Sequence, residues 1–333
     1  MDKMNFFQFT QLAFSCLIFA SCQNINTNEA SDSNTIKSNV TKKNSPKNSA
    51  LNDFGTRCKA LLTSRFKNLE EFKNVVSIQY DRDYSRLDSS ECRNSSVTLS
   101  YKSNGEEIKR TMSSDINQDD VQKLPKSDII TLSCFIFTHP NIIRLRKNLE
   151  DAYSLSRRKP AFYGPGDKAF YDLAEASYYN IISQPQTFLN SKDSSEKGYI
   201  NTFNHITAQA IITSFFSEEL ADLISDLHER KNMPEITCGK FTSVHLNDTL
   251  NNIVDNYIDI LNNEIGQKIG LKLREKYNIN STTQCTPILL SNYLNDVQGY
   301  YSMVLKIVFR SFRPSDKVIN KFSHKINLVL EKF

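Results

Sequence analysis

The sequence predicts an α+β protein: a small antiparallel α+β region over residues 54–140, then a mainly α-helical region over residues 141–333. Two observations carry this. Hydrophobic residues alternate with a period near two along 75–114, and from Asn141 onward they recur at helical spacing. A third observation sets residues 1–53 apart, because they show neither pattern. The chain has 333 residues, 39% of them hydrophobic, which suffices for a sizeable core. Its 41 Lys and Arg against 37 Asp and Glu leave a charge of +4, too slight to argue for nucleic acid. Mean hydropathy is −0.45, and the one long apolar stretch is N-terminal, which excludes a polytopic membrane protein.

Residues 1–22 read as a targeting segment. Lys3 supplies a basic start, Leu12 to Ala20 an apolar run too short to span a bilayer comfortably, and Phe19-Ala20-Ser21-Cys22 follows. Two small residues before Cys22 resemble a bacterial lipobox, which implies cleavage before Cys22, its lipidation, and anchoring of an exported protein to the envelope membrane. Phe19 departs from the usual Leu. Gln23 after the Cys gives no signal for inner-membrane retention, so the outer membrane or periplasmic face is the expected location. The alternative is an ordinary secretory signal. Residues 23–53 are rich in Asn, Ser, Thr and Lys and poor in aliphatic side chains, as a disordered tether would be. Seven Cys occur, none in a Cys-x-x-Cys pair. In an oxidising compartment disulfides are expected, with Cys238 and Cys285 the favoured pair.

Residues 54–71 predict a helix, with Leu61, Phe66, Leu69 and Phe72 at helix-like spacing. Residues 75–84 predict a strand, and 95–114 a hairpin turning at Ser103-Asn104-Gly105. The apolar run 128–140, rich in β-branched and aromatic residues, predicts another strand, with His139 at its end. Helices are then expected over 144–158, 167–183, 200–214, 217–230, 246–276, 286–311 and 315–332, the last with Pro314 fitting its first turn. That final helix sets Val318, Phe322, Ile326 and Val329 on one side and Lys317, Lys321 and Lys325 on the other. It is expected to pack on the body, with a membrane or partner helix as the alternative and His324 on the surface.

The informative stretch is 198–230. Ser217 followed by Glu218 and Glu219 marks an N-cap with first-turn acids, so the chain turns there. His205 lies about eleven residues before the turn and His228 about twelve after it, which levels them within one or two Å in an antiparallel hairpin at about 1.5 Å per residue. Both share apolar stripes and are expected to point inward. Downstream, Asp259, Asn262 and Asn263 lie at i, i+3 and i+4 on one face of a long helix.

These residues fall in a recognisable order: Asn204-His205, then Leu227-His228-Glu229, then Asp259-Ile260-Leu261-Asn262-Asn263-Glu264-Ile265-Gly266-Gln267. The series resembles an uncharacterised bacterial helical domain family of exported and toxin-associated proteins, with the pattern R-H, A-H-E, D-L-Y-N-N-x-x-G-R. The resemblance covers residues 160–275, and it implies a helical fold and a polar site without naming a reaction. Asn204 and Gln267 stand where the family has arginines.

The candidate site is therefore His205, His228, Glu229, Asp259 and Asn263. Two chemistries are open. One is a metal-assisted or general acid/base hydrolase, with Glu229 as acid/base and zinc held by His205, His228 and Asp259, His245 being a possible extra ligand. The other is a buried polar network that fixes helix packing. A Cys–His nucleophile built on Cys238 is a weaker idea. No Gly-x-Ser-x-Gly, P-loop or dinucleotide motif occurs. An exported lipoprotein that binds an envelope protein or a small molecule through this region is the overall expectation.

Overall fold

Asn104 and Gly105 both hold positive φ, 53° and 78°. That pair makes the tight turn whose twist suits two flanking strands. The turn joins β2 (Ser96–Ser103) to β3 (Glu106–Ser113), and β1 (Val76–Tyr80) completes a three-stranded antiparallel sheet in the order β1-β2-β3. Pairing sets Val97 opposite Met112, Tyr101 opposite Ile108 and Ile78 opposite Leu99. Side chains alternate across a strand, so Val97, Leu99, Tyr101, Ile108 and Met112 form one buried face. The expected strand and hairpin are thus both present. The computed structural model describes residues 54–81, 95–124, 127–182, 187–237, 241 and 252–331. The targeting segment with Cys22, the tether, Cys92, Cys238 and His245 lie outside the described residues.

Residues 54–71 are not the expected helix. They run extended, broken by a 3-10 turn at Thr63–Arg65, before the short α1 (Leu69–Lys73) capped by Asn68. The reason is tertiary: their backbone groups find partners far along the chain. Leu61 N–H donates to Asn262 Oδ1 (3.0 Å), Leu61 O accepts from Asn262 Nδ2 (2.9 Å) and Thr202 Oγ1 (2.8 Å), and Cys58 O accepts from Tyr300 (2.6 Å). A buried backbone needs its hydrogen bonds met, and this one meets them without a helix.

The expected strand at 128–140 is also a correction. After α2 (Gln118–Lys123) comes a helix, α3 (Ile129–Thr138), followed by α4 (Pro140–Ser156). Asp128 caps α3 by accepting from Ile130 N (3.0 Å) and Thr131 N (2.9 Å), and Pro140 begins α4 at the position where a missing N–H costs least. Of the α3 side chains only Phe135 is buried. His139 sits at the α3–α4 junction, stacked on Phe135 and 3.1 Å from Asp115.

The remaining long helices among the described residues are α5 (Phe170–Tyr179), α6 (Asn201–Phe215), α7 (Glu218–Arg230), α8 (Ile253–Lys276), α9 (Pro287–Leu305) and α10 (Lys317–Leu330), with short helical turns at Pro160–Tyr163, Ser191–Ser194, Glu196–Ile200 and Pro234–Thr237. Helix α9 ends earlier than expected, because Lys306 turns left-handed at φ 59°. Strands β4 (Ile181–Ile182) and β5 (Val308–Phe309) then pair. Asp316 is the N-cap of α10, so Pro314 precedes the helix instead of sitting in its first turn. The apolar side of α10 is buried on the body and His324 is exposed, as expected, but Ile319 joins Phe322, Ile326 and Val329 in the core where Val318 was expected, Val318 being half-buried. Lys325 is not on the solvated side. It is 1% exposed, paired with Asp167 Oδ2 at 2.9 Å, and it donates to the carbonyls of Arg157 and Lys168.

Helices α6 and α8 cross at the centre of one continuous core that also takes in the sheet. Gly266 and Gly270 make the close approach possible. A Cβ at Gly266 would lie 2.6 Å from Ile206 O, and one at Gly270 2.5 Å from Ala210 O. Among the described residues Cys58, Cys134 and Cys285 are free thiols. Cys285, one half of the favoured Cys238–Cys285 pair, is thus a free thiol in this structure, while Cys238 lies outside the described residues. Cys285 is wholly buried in the core, beneath Asn327, which binds its backbone on both sides, and burial pushes its thiol up to about 12.

Candidate functional site

The α6–α7 reversal is built as the sequence foretells. Ser217 accepts from Leu220 N (3.1 Å), with Glu218 and Glu219 in the first turn. This places His205 of α6 beside Ser225 and Glu229 of α7, while α8 supplies Asp259 and Asn263 from below. His205 Nδ1 lies 3.0 Å from Asn263 Oδ1 and 3.7 Å from Glu229 Oε1, and its Nε2 lies 3.3 Å from Asp259 Oδ2. Four of the five expected residues thus converge.

The hydrogen bonds fix the tautomer. Asn263 Nδ2 donates to Glu229 Oε1 (2.9 Å) and to Ser225 Oγ (3.0 Å), so its Oδ1 is the acceptor facing the ring. His205 therefore carries its proton on Nδ1 and turns an unprotonated Nε2 toward Asp259. Beyond Asp259 the network continues. Asn201 Nδ2 donates to Asp259 Oδ1 (2.8 Å), and Asp255 takes a hydrogen bond from Thr63 (2.8 Å) and an ion pair from Lys197.

Burial sets the protonation. Desolvation holds the His205 pKa below its ordinary value against the pull of Glu229. Desolvation likewise raises Glu229 to about 7, opposed by His205 and Asn263. Asp259 is raised well above the carboxylate range, first by burial and then by Asp255 and Glu229. The set thus favours neutral, proton-bearing forms, with Asp259 able to hand a proton to Nε2.

The cluster opens onto a cavity of about 400 Å³ between α4, α5, α6 and α7, which His205, Glu229, Ser225 and Asn263 all line. Glu229 is 1% exposed, and its Oε2 has no protein partner among the described residues. His228 lines the same cavity, yet it is exposed and hydrogen-bonded through Nδ1 to Gln118 Oε1 (3.2 Å). The expectation that both histidines point inward fails for a simple reason. Adjacent helical residues differ by about 100° in direction, and here Leu227 and Glu229 take the buried side.

The expected zinc set of His205, His228 and Asp259 is not assembled either. The two ring nitrogens of His205 face Asn263 and Asp259, and His228 is engaged by Gln118. Among the described residues no three His, Cys, Asp or Glu converge to hold a metal ion. Asn262, one of the expected polar face, serves the Leu61 backbone instead of the cavity. Gln267 donates to Gln209 Oε1 (3.4 Å).

Sequence reasoning missed Asp255, which shares a helix face with Asp259 at i+4 and was legible on that ground. It also missed Ser225, Tyr153 and Gln118, which reach the cavity from elements whose packing no local pattern reveals. Comparison with protein-family models, curated proteins and solved structures finds no match for this chain.

Proposed function

We propose that this chain is an exported, lipid-anchored protein whose helical region carries a general acid/base site for hydrolysis of a small ligand seated in the cavity. The observation that carries the chemistry is Glu229: a buried carboxyl with one oxygen free on an open cavity, the other held by Asn263, and the His205 ring against it. An acid/base group works best when its pKa sits near the working pH, and burial raises Glu229 to about 7.

In this reading ionised Glu229 takes a proton from a water through Oε2 as the water oxygen bonds to the electrophilic carbon of the ligand. The same proton then passes to the leaving group. His205 is a positioning residue: its Nδ1–H orients Asn263, which orients Glu229, and Asp259 beside Nε2 stabilises the imidazolium whenever the ring takes up a second proton. The likeness of His205, Glu229, Asp259 and Asn263 to the exported helical family supports the same residues. Export itself rests on the lipobox-like Phe19-Ala20-Ser21-Cys22 and the Asn/Ser-rich tether.

The full chain is assayed against chromogenic esters, amides and glycosides from pH 5 to 9. Glu229→Gln is expected to remove turnover while the chain stays folded, as circular dichroism would show. Turnover that survives Glu229→Gln, or a wild-type chain inert to the whole panel, overturns the reading. Metabolic labelling with palmitate tests the anchor separately, since Cys22→Ser must abolish incorporation.

A further inference from the structure

The walls of the cavity carry more unspent hydrogen-bonding capacity than proton transfer needs. Tyr153, from α4, buries its hydroxyl with no partner. A buried polar group without a partner is costly, and the side chain that carries this one lines the cavity, so a ligand seated there would find an unsatisfied hydroxyl close beside it. Gln209, 4% exposed, spends Oε1 on Gln267 and leaves Nε2 unpartnered among the described residues. The Asn204 amide makes no hydrogen bond among the described residues, and Glu229 keeps Oε2 free. These groups span three helices, α4, α6 and α7, so they surround the space instead of lining one wall.

Two further features narrow the chemistry. Phe170 and Tyr171 add aromatic surface to the same cavity, giving apolar faces between the polar groups. Among the described lining residues Arg157 alone has a fixed charge, and it is exposed. Glu229 and His205 are both held toward their neutral forms by burial. A ligand of strong charge would lose its water here without a counter-charge to meet it. A ligand with several hydroxyls, alternately donating and accepting, and with an apolar ring face, would be met at every point. The volume of about 400 Å³ lies toward the lower end of small-molecule sites, which run from about 300 to 1,000 Å³.

We infer that the cavity is a saccharide site, taking a neutral sugar ring whose hydroxyls bind Tyr153, Gln209, Asn204 and Glu229 and whose face lies on the aromatic surface of Phe170 and Tyr171. This deepens the proposed function by naming its substrate class, and it rests on that reading only for turnover.

The test is saturation-transfer NMR and calorimetry on the full chain with glucose, N-acetylglucosamine, cellobiose and chitobiose, and with glycine and inorganic phosphate as charged comparisons. Binding of at least one neutral sugar is expected, with no signal from the charged pair. Tyr153→Phe deletes only the orphan hydroxyl and leaves the ring in place, so the fold is kept. It is expected to weaken sugar binding about tenfold, the loss of one good hydrogen bond at about 1.4 kcal/mol. Glu229→Gln alters one of the sugar-binding groups as well as the proton carrier, so it is expected to abolish turnover and to weaken sugar binding without removing it, the amide still offering a hydrogen bond. A wild-type chain that binds none of the sugars overturns the inference, as does Tyr153→Phe with wild-type affinity. Sugar binding by a chain that hydrolyses nothing sustains the inference and defeats the proposed reaction. Hydrolysis of non-sugar substrates without sugar binding does the reverse.

Discussion

Gly266→Ala is the sharpest test of how the site is held. A Cβ there would lie 2.6 Å from Ile206 O, 2.8 Å from Gln209 Cβ and 3.0 Å from Ile206 Cα. The nearest two of those neighbours are backbone and a buried side chain, so neither swings aside. Reaching ordinary contact at 3.4 Å requires α6 and α8 to part by about 0.8 Å. Ile206 follows His205, and Gly266 lies one turn after Asn263, so the wedge acts where the ring meets the amide. Their 3.0 Å hydrogen bond would stretch toward about 3.8 Å, outside bonding range. Overpacking costs about 1–3 kcal/mol and the broken buried hydrogen bond about as much again, so a loss of about 2–6 kcal/mol is expected. Urea unfolding measures the loss, and the slowly exchanging Nδ1–H resonance of His205 reports the bond. Gly299→Ala is the control. Its Cβ would meet only the edge of the Phe54 ring, at 3.1 Å, and a loss below about 1 kcal/mol is expected. A Gly266→Ala chain within about 1 kcal/mol of wild type, with the His205 resonance unmoved, would refute the reasoning.

Three other outcomes follow from buried charge. Lys325→Met strands Asp167 in the core and is expected to cost about 3–5 kcal/mol, most of it recovered in Lys325→Met/Asp167→Asn, as a double-mutant cycle in urea would show. Glu235 receives the Tyr257 hydroxyl at 2.6 Å, its second oxygen is unpartnered, and burial raises it from 4.5 to about 7. A raised folded pKa means that the native state holds the proton more tightly. The stabilisation is full below pH 4.5 and fades as pH rises through about 7, and Glu229 and Glu264, raised to about 7 as well, add to the same slope. Unfolding free energy is therefore expected to fall between pH 5 and pH 8, with Glu235→Gln removing about 3 kcal/mol of that fall; a flat profile in wild type would contradict it. Arg110 bridges Asp222 (2.7 Å), Asp226 (2.6 Å) and Glu264 (3.1 Å), so Arg110→Met is expected to loosen the sheet from α7 and α8, seen as faster amide exchange in β3.

What could be read from the sequence was what is written locally. Asn104-Gly105 fixes a hairpin wherever it occurs between alternating strands, and Ser217 with its two glutamates fixes a helix start, so both elements fell where expected. The register of that start set Glu229 beside His205, while Asp259 and Asn263 arrive on α8 through its close crossing with α6. His228 failed because a neighbour one residue away had the stronger claim to the inside. The run at 129–138 has strand composition, and the evidence against it was a single side chain, Asp128, whose cap outweighs β-branching once no partner strand is on offer. Residues 54–71 failed differently. Their partners are Asn262, Thr202 and Tyr300, and no window of sequence contains both ends of such a contact. The cavity walls from α4 and α5 were invisible for the same reason.

Those long contacts have a consequence for the order in which the molecule assembles. Leu61 bonds Asn262 across 201 residues, and Cys58 bonds Tyr300 across 242. A chain made from its N-terminus produces the 56–62 segment first and its partners last, so that segment waits extended until the C-terminal third arrives. Non-local closures of this kind are slow, because loop entropy is lost before any contact offsets it. A chain cut after α7 would leave Leu61, Leu62 and Cys58 bare, with hydrophobic surface and unbonded backbone on display. Partial products of this protein are thus sticky by construction, and the crossing of α6 and α8 cannot be sealed until the whole length is present.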